Sequence, residues 1–363
     1  MSDSLRRYRA IRDALLQLYP TTLTARQAHH LTTLAALVSG IVGSRQTQLP
    51  AIASKLPDRV HRESRVKRFR RWLTNPNVTP DIYFLPFATA LIQSLAHLPV
   101  VLVIDGSTVG RGCVALVVSV VYQGRALPIA WLVVTGRKGH FAEEMHVALV
   151  QRVQALIPPE ATVIFLGDGE FDGPGLQAYL SSVGWSYVCR TAQNIQIHSD
   201  GDWLTLRELY LEPGQMVSLP EVHMTGQAYG PVLVLAWWAR GQHKPIYLVT
   251  NLDLAAEACW WYRKRFRVET FFSDQKSRGF HLHQSHLADP ARLMRLLLAA
   301  CLAYLWIVYL GVLAQRDSWM GVIHRTDRCD LSLFQLGLAL LDHLLNEGLP
   351  IPVAFHPPDI ELV

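Results

Sequence analysis

The chain has 363 residues, 50% of them hydrophobic and 17% charged, so it can bury a large core and its length predicts two or three domains. The net charge of +5 is unevenly spread, because residues 1–98 hold 14 Lys and Arg against 5 Asp and Glu, whereas the remainder holds 20 against 24. The five cysteines lie far apart without a Cys-x-x-Cys pair, which argues against a zinc site and against a disulfide framework. No apolar signal core follows the first residues, so we expect a cytoplasmic protein.

The basic N-terminal region, residues 1–98, is predicted to be helical and to bind DNA. Apolar residues recur at helical spacing over 5–18, 25–42 and 64–73. The ten residues 62–71, which overlap the last of these helices, contain six cations: Arg62, Arg65, Lys67, Arg68, Arg70 and Arg71. Such a density favours contacts to DNA phosphates, although a solvated basic face is the alternative. We select four candidate DNA contacts: Arg65, Arg68, Arg70 and Arg71.

A mixed α/β sheet is predicted for residues 99–193. Strands are expected at 100–104, 113–122, 126–134, 161–166 and 185–190, with helices at 141–156 and 175–183. The first and fourth of these strands end in Asp105 and Asp168. An acidic residue at the carboxyl end of a buried strand can face the crevice where α/β sheets bind ligands, although such residues also serve as loop caps.

Three further segments follow the sheet. Residues 194–251 are rich in Gly, Thr, Val and Tyr with short alternating runs, which predicts a β-rich insertion subdomain. We assign residues 252–317 to the same domain as 99–193, and residues 318–363 to a C-terminal tail. The uncharged stretch 296–314 is long enough to cross a membrane, but we expect a buried core helix because the rest of the chain has a soluble α/β pattern.

Residues 262–276 carry the most informative spacing. On one continuous helix, four side chains would share a stripe about 60° wide: Tyr262, Arg265, Glu269 and Lys276. A neighbouring apolar arc could dock on a core: Trp261, Val268, Phe271 and Phe272. A carboxylate among cations suits a metal beside a phosphate backbone, and ordinary ion pairs on a solvated face are the alternative.

Three carboxylates from separate elements therefore stand out: Asp105, Asp168 and Glu269. Without a His or Cys to join them, they suit the hard cations Mg²⁺ or Mn²⁺. Two such ions about 4 Å apart would hold the attacking and leaving oxygens of a phosphodiester displacement. The carboxylates thus predict a two-metal site that acts on nucleic acid.

These features together resemble the DDE transposases of bacterial insertion sequences, and insertion sequence family four in particular. The resemblance rests on the strand-end aspartates, the β insertion and the Tyr-x2-Arg-x3-Glu-x6-Lys spacing that begins at Tyr262, and it covers roughly residues 35–340. It implies a ribonuclease H-like mixed-sheet catalytic domain interrupted by a β-rich insertion and preceded by a helical DNA-binding region. It also implies cut-and-paste transposition, in which terminal inverted repeats are bound and cleaved through a DNA hairpin and 3′ ends are joined to target DNA.

The resemblance also implies roles for individual residues. Asp105, Asp168 and Glu269 would hold two Mg²⁺ ions, for which Mn²⁺ could substitute. Three side chains would bind phosphates near the cleaved bond: Tyr262, Arg265 and Lys276. The sequence departs from the family at Gly169, where many relatives have Arg directly after the second aspartate.

A tryptophan of the insertion is implied to stack on a flipped base of the hairpin. Trp237 and Trp238 are the nearest candidates, Trp203 is a third, and core packing is the alternative for each. Strand alternation would turn only one of the adjacent pair outward.

The implied partners are double-stranded DNA and a second copy of the chain in the DNA complex, in the bacterial cytoplasm at the nucleoid and without a membrane. A ribonuclease H-like nuclease or resolvase that cuts without joining, and a catalytically inactive DNA-binding derivative, remain alternatives.

Overall fold

A single mixed sheet of ten strands runs through the computed structural model, which describes residues 2–19, 23–139, 141–199, 201–325 and 329–358. The strands are β1 (Val100–Gly110), β2 (Cys113–Tyr122), β3 (Arg125–Thr135), β4 (Val163–Gly167), β5 (Ser186–Thr191), β6 (Gln196–Ser199), β7 (Asp202–Thr205), β8 (Met216–Met224), β9 (Tyr229–Trp237) and β10 (Ile246–Thr250). Their order across the sheet is β3-β2-β1-β4-β5-β10-β9-β8-β6-β7.

Helices cover the sheet and build the N-terminal region. The α-helices are α1 (Asp3–Gln17), α2 (Ala25–Ser44), α3 (Leu49–Ser54), α4 (Arg62–Thr74), α5 (Pro80–Tyr83), α6 (Leu85–Leu95), α7 (Glu143–Gln154), α8 (Pro174–Ser182), α9 (Ala255–Tyr262), α10 (Val268–Gln275), α11 (Pro290–Arg316), α12 (Met320–Ile323) and α13 (Leu333–Asn346). Short 3₁₀ segments lie at Leu206–Glu208, Arg263–Arg267 and Leu282–Gln284. The helical region predicted for residues 1–98 is therefore observed.

The first half of the sheet follows the predicted order of three strands, helix, strand, helix and strand. β1 pairs antiparallel with β2 and parallel with β4, and β4 pairs parallel with β5. All five residues of β4 are buried, as expected for a strand covered on both faces. The predicted mixed α/β class is confirmed.

The segment predicted to be a β-rich insertion consists of strands, and these strands extend the main sheet. β10 pairs antiparallel with β5, and β9, β8, β6 and β7 follow outward from it. Backbone hydrogen bonds thus continue from the core strands into the insertion, so the β5 edge is covered by the chain's own strands. The sequence pattern predicted strands here but could not predict the strand they would pair with.

The long apolar segment is the buried helix α11, as predicted. Among the described residues it is the one helix whose length and composition would allow it to cross a membrane, and 94% of its most apolar window is buried inside the protein. It packs against α2, α4, β3 and α13. The guanidinium of the buried Arg295 has hydrogen-bond partners from the N-terminal region, because it donates to the carbonyls of Val78 and Leu73.

The C-terminal segment contains a packed helix, so it is not the tail that the sequence predicted. α13 begins at a capping box in which Ser332 and Gln335 exchange hydrogen bonds. Its backbone approaches α11 at two glycines, where an added Cβ on Gly311 would lie 1.9 Å from the Leu333 carbonyl oxygen and one on Gly337 would lie 1.8 Å from that of Ile307. Only glycine permits this close helix crossing.

We therefore expect Gly337→Ala to lower the free energy of unfolding by at least about 1–3 kcal/mol, because the added methyl must push α13 away from α11. Urea unfolding followed by circular dichroism measures the change. Gly226→Ala is the matched control, since a Cβ there meets nothing within 4 Å. Equal stability of the two variants would contradict the close crossing.

Candidate active site

Two carboxylates lie side by side on neighbouring parallel strands. β1 and β4 are paired up to Val103 and Leu166, so Asp105 and Asp168 are each two residues beyond the last pair and level with one another. Neighbouring strands are about 4.8 Å apart, which brings the two backbones within reach of one shared ligand. Asp168 directly follows β4, as predicted, whereas Asp105 lies inside the longer β1. The sheet register therefore assembles this pair.

The Asp105 carboxylate is almost completely buried and surrounded by cations. Its Oδ1 accepts a hydrogen bond from the Gly106 backbone and lies 2.8 Å from Lys138 Nζ. Burial raises the pKa of the Asp105 carboxyl. The nearby charges of Lys138 and Arg265 lower that pKa, and the charge of Asp168 raises it. Burial is the largest of these effects, so the pKa of Asp105 is raised overall, and Lys138 opposes that rise by favouring the charged carboxylate.

Residues 262–276 do not form the single helix that the sequence predicted. α9 ends at Tyr262, a 3₁₀ segment spans Arg263–Arg267, and α10 begins at Val268. A 3₁₀ turn has three residues instead of 3.6, so the expected stripe is rotated apart. Tyr262 and Arg265 are buried, whereas the side chain of Glu269 is 62% exposed. The apolar arc predicted beside the stripe is buried as expected: Trp261, Val268, Phe271 and Phe272.

Three of the four signature side chains lie near the aspartates or their strand, and Tyr262 is close enough to Asp168 for that charge to raise the tyrosine pKa. Lys276 Nζ donates a 2.6 Å hydrogen bond to Ser107 Oγ, which is on β1 two residues after Asp105. Arg265 is close enough to Asp105 to affect its pKa. Burial raises the pKa of Tyr262 to about 12, so its phenol stays neutral and can donate a hydrogen bond. Glu269 instead lies 3.6 Å from the guanidinium of Arg265.

The donor chemistry of the aspartate pair fits a divalent cation, because carboxylate oxygens are the ligands that Mg²⁺ and Mn²⁺ prefer. Across the described ranges, however, no three His, Cys, Asp or Glu side chains are grouped closely enough to hold a metal ion. Among these residues the predicted triad is therefore not assembled as one compact group, and Glu269 is paired with Arg265.

Glu170 is a further carboxylate near the aspartate pair that the sequence analysis missed. Burial raises its pKa, a hydrogen bond from the backbone of Phe141 lowers that pKa, and the charges of Asp168 and Asp105 raise it. Its own backbone N–H donates to Asp168 Oδ1 at 3.0 Å. The sequence signal that could have identified Glu170 is its position two residues after Asp168, a predicted metal ligand.

A polar pocket of about 360 Å³ adjoins Asp168 and is lined by Gly169, Arg190 and Lys244. Gly169 leaves room in this pocket, since an added Cβ would meet nothing nearer than the Arg190 carbonyl oxygen at 3.9 Å. Arg190 and Lys244 were also missed by the sequence analysis. Arg190 comes from β5 and Lys244 from the loop before β10, and only the pairing of these strands brings the two together.

The tryptophans of the insertion differ from the expectation that alternation would turn one outward. Trp237 and Trp238 are both half-buried, with the Arg263 guanidinium 5.0 Å from the Trp237 ring centroid and the Trp238 indole donating to the Gln242 carbonyl. An exposed aromatic that was not predicted lies in the signature segment. The ring of Phe266 is 48% exposed, with the guanidinium of Arg265 4.5 Å from its centroid.

Comparison with known proteins identifies the family. The family model described as Transposase DDE domain matches residues 97–306. The chain belongs to the DDE transposase family. The match starts just before β1 and ends within α11, so it contains both aspartates and the whole 262–276 segment. The family-level resemblance seen in the sequence is thus confirmed, and insertion sequence family four stays a prediction.

No curated protein matches the chain significantly. Among solved structures, the chain is similar to the piggyBac transposase in a cryo-EM structure of its synaptic complex with hairpin DNA. The TM-score is 0.47 and the identity 11%, over 99% of this chain and 83% of that chain.

In this DDE family member the cations of α4 divide into two groups. Arg65 is engaged internally, because its guanidinium bonds the side chain and carbonyl of Asp58 and donates to the Ala53 carbonyl at 2.8 Å. Arg68 is half-buried and lies 3.6 Å from the same aspartate. Arg70 and Arg71 are exposed. The geometry therefore favours Arg70 and Arg71 as phosphate contacts and gives Arg65 a structural role.

We expect Arg65→Gln to lower the free energy of unfolding by about 1–3 kcal/mol, because it leaves buried acceptors of the α3–α4 turn without a donor. Arg71→Gln, on the same helix, should change stability by less than about 0.5 kcal/mol. In DNA binding we expect the opposite. Arg71→Gln should reduce the slope of log K against log salt by about 0.9, whereas Arg65→Gln should leave it unchanged. Urea unfolding measures the stability of both variants, and fluorescence anisotropy measures their DNA binding. A reduced slope for Arg65→Gln would show that Arg65 contacts DNA phosphate.

Proposed function

We propose that the protein is a cut-and-paste DNA transposase, which binds the terminal inverted repeats of its element, cleaves phosphodiester bonds and joins the 3′ ends to target DNA. The observation that carries the proposal is the level placement of Asp105 and Asp168 on parallel strands with Arg265 close by. The order β3-β2-β1-β4-β5, in which β3, β2 and β1 pair antiparallel and β1, β4 and β5 pair parallel, supports a ribonuclease H-like catalytic domain. We further propose that two copies act together on DNA at the bacterial nucleoid.

The aspartate pair would hold divalent metal ions, two Mg²⁺ or Mn²⁺, with Glu269 as a third ligand. When bound, such ions polarise a phosphodiester and make water more acidic. Glu269 is now paired with Arg265, whose planar guanidinium suits a bidentate contact to phosphate. Because phosphate would compete for that guanidinium, DNA binding would release Glu269 toward the aspartates. The 3₁₀ segment between α9 and α10 is a suitable place for the small rotation required.

The cations around the pair would bind the DNA backbone. Lys276 is held by Ser107 on β1 and would contact the phosphate next to the cleaved bond. Burial lowers the pKa of Lys276, as does the nearby Lys138, while Asp105 raises that pKa and so favours the charged form. Arg190 and Lys244 line the pocket beside Asp168 and would receive the adjacent phosphate. They supply positive charge near Gly169, where many relatives have an arginine.

We expect Asp105→Asn, Asp168→Asn and Glu269→Gln each to reduce cleavage of terminal-repeat DNA by more than about 100-fold, since losing even an outer partner of a metal ligand costs 10–100-fold. Binding of the same DNA should persist, because the phosphate contacts remain. Cleavage gels and band shifts on one preparation measure both, with the exposed Asp253→Asn as control. Retained cleavage would remove that carboxylate from the site, and cleavage by wild type without strand joining would indicate a nuclease or resolvase.

A DNA hairpin intermediate, implied by the resemblance to insertion sequence family four, is part of the proposal. The 3′-hydroxyl freed by the first nick would attack a phosphodiester of the opposite strand, which forms the hairpin bond and releases the 3′-hydroxyl of the flanking strand. A tight hairpin would unstack a terminal base that needs an aromatic partner. The exposed ring of Phe266, beside Arg265, is well placed to take that base. Base–aromatic stacking contributes about 1–3 kcal/mol, or roughly 5- to 150-fold.

We therefore expect Phe266→Ala and Arg265→Lys to slow hairpin formation within that range and to spare the first nick. Denaturing gels separate nicked, hairpin and double-strand-break products in one time course. Trp237→Ala, Trp238→Ala and the exposed Trp203→Ala test the three candidates that the sequence analysis named. Double-strand breaks in the wild type without any hairpin would refute this step.

A further inference from the structure

A second basic cleft lies away from the aspartate pair, where the N-terminal helices meet the start of α11. Its volume is about 840 Å³, and its lining includes Gln48 before α3, Arg70 of α4 and a segment that contains His286, Asp289 and Arg292. No residue of the catalytic signature lines it. The cleft is open on one side, so a large ligand could enter.

Cations from three separate parts of the chain converge on this cleft. Arg70 comes from the helical region and Arg292 from the first turn of α11. Arg111, in the tight turn between β1 and β2, reaches the rim, where its Nη2 lies 3.3 Å from His286 Nδ1. Such convergence from distant segments is not explained by the amphipathic pattern of any one helix.

The carboxylate that lines the cleft already accepts a hydrogen bond from the protein. Asp289 is the carboxylate among the lining residues, and it caps α11 by accepting a 2.7 Å hydrogen bond from the Arg292 backbone. The side chain of Arg292 has a buried Nε with no hydrogen-bond partner among the described residues. An unsatisfied buried donor is costly unless a ligand completes it, and an anionic oxygen would do so.

The cleft has a defined spacing from the aspartate pair because β1 connects the two. Gly110 is five residues after Asp105, which is at most about 17 Å, because the register of β1 shifts between Thr108 and Gly110. At Gly110 the backbone touches the cleft segment, since an added Cβ would lie 2.6 Å from the Leu287 carbonyl oxygen, and the next residue donates to that carbonyl. One DNA strand advances about 3.4 Å per nucleotide, so the separation corresponds to about five base pairs.

We propose that this cleft binds a backbone phosphate of the DNA duplex about five base pairs from the phosphodiester held at Asp105. The inference rests on the proposed function and adds to it a second, distant phosphate site. Because the site is shared between α4 and the catalytic domain, it couples the N-terminal helices to the catalytic sheet through one DNA segment. Exposed Lys67 and Arg71 continue the basic surface along α4 beyond the cleft.

Salt dependence of binding tests whether the cleft contacts phosphate. Full-length wild type and the double variant Arg70→Gln/Arg292→Gln are titrated against a 40-base-pair duplex of arbitrary sequence between 50 and 200 mM salt. Loss of this one phosphate contact should reduce the slope of log K against log salt by about 0.9, so the affinity lost over this range should be about 3.5-fold smaller for the variant. An unchanged slope overturns the proposal.

Two controls separate phosphate contact from damage to the fold. Arg70→Lys/Arg292→Lys keeps both charges and should restore the wild-type slope, which a purely structural role of the guanidinium groups would not. Arg152→Gln removes an exposed arginine of α7 that does not line the cleft and should leave the slope unchanged. A slope that stays low in the lysine variant counts against the proposal.

The position of the contact is tested with terminal-repeat duplexes that carry one neutral methylphosphonate. At about five base pairs from the cleaved bond, the neutral linkage should weaken wild-type binding but not weaken the double glutamine variant further. Equal weakening of both proteins places that phosphate elsewhere and overturns the inference. Failure of the wild type to bind or cleave any terminal repeat would instead count against the proposed function, so the two failures are distinguishable.

Discussion

Burial of α11 is the constraint on which the rest of the structure depends. This helix contacts the N-terminal helices, the sheet at β3 and the C-terminal α13, so it joins three parts of the chain that the sequence suggested were separate. The charged residue in its buried stretch is Arg295, which holds the α4–α5 connection through two carbonyl groups. The glycine crossing with α13 leaves no room for side chains between the helices. The helical region is therefore held against the catalytic sheet and presents its cations in a fixed direction.

On this frame the candidate active site is assembled by strand register. Parallel pairing of β1 with β4 brings Asp105 level with Asp168, and no flexible loop is needed to align them. The mutual repulsion of two ionised carboxylates is a cost of this arrangement, and the cations around them offset it. Lys138 lies closest, at 2.8 Å from Asp105. The nearby cations thus offset the carboxylate charge in the unliganded protein. In the proposed function the same cations would bind the phosphate backbone.

The interrupted signature segment shows how local geometry changes a motif. Apolar side chains anchor both ends, because Trp261 and Val268 are buried on either side of the 3₁₀ turn. Between them the tighter winding turns Arg265 inward and leaves Glu269 outward, where the two form an ion pair at 3.6 Å. The spacing of the motif alone therefore does not fix the relative orientation of its side chains.

The sequence by itself determined the mixed α/β class, the buried character of α11 and the presence of an aspartate at the end of each of two buried strands. Continuous apolar runs can only be satisfied as covered strands or helices, and the signature spacing is local. Only the tertiary structure decided that the insertion extends the main sheet from β5, that Arg65 is bound inside while Arg70 is not, and that Arg190 and Lys244 share a pocket with Asp168. These outcomes depend on which distant backbone or carboxylate each group meets, and hydrophobic periodicity carries no information about such partners.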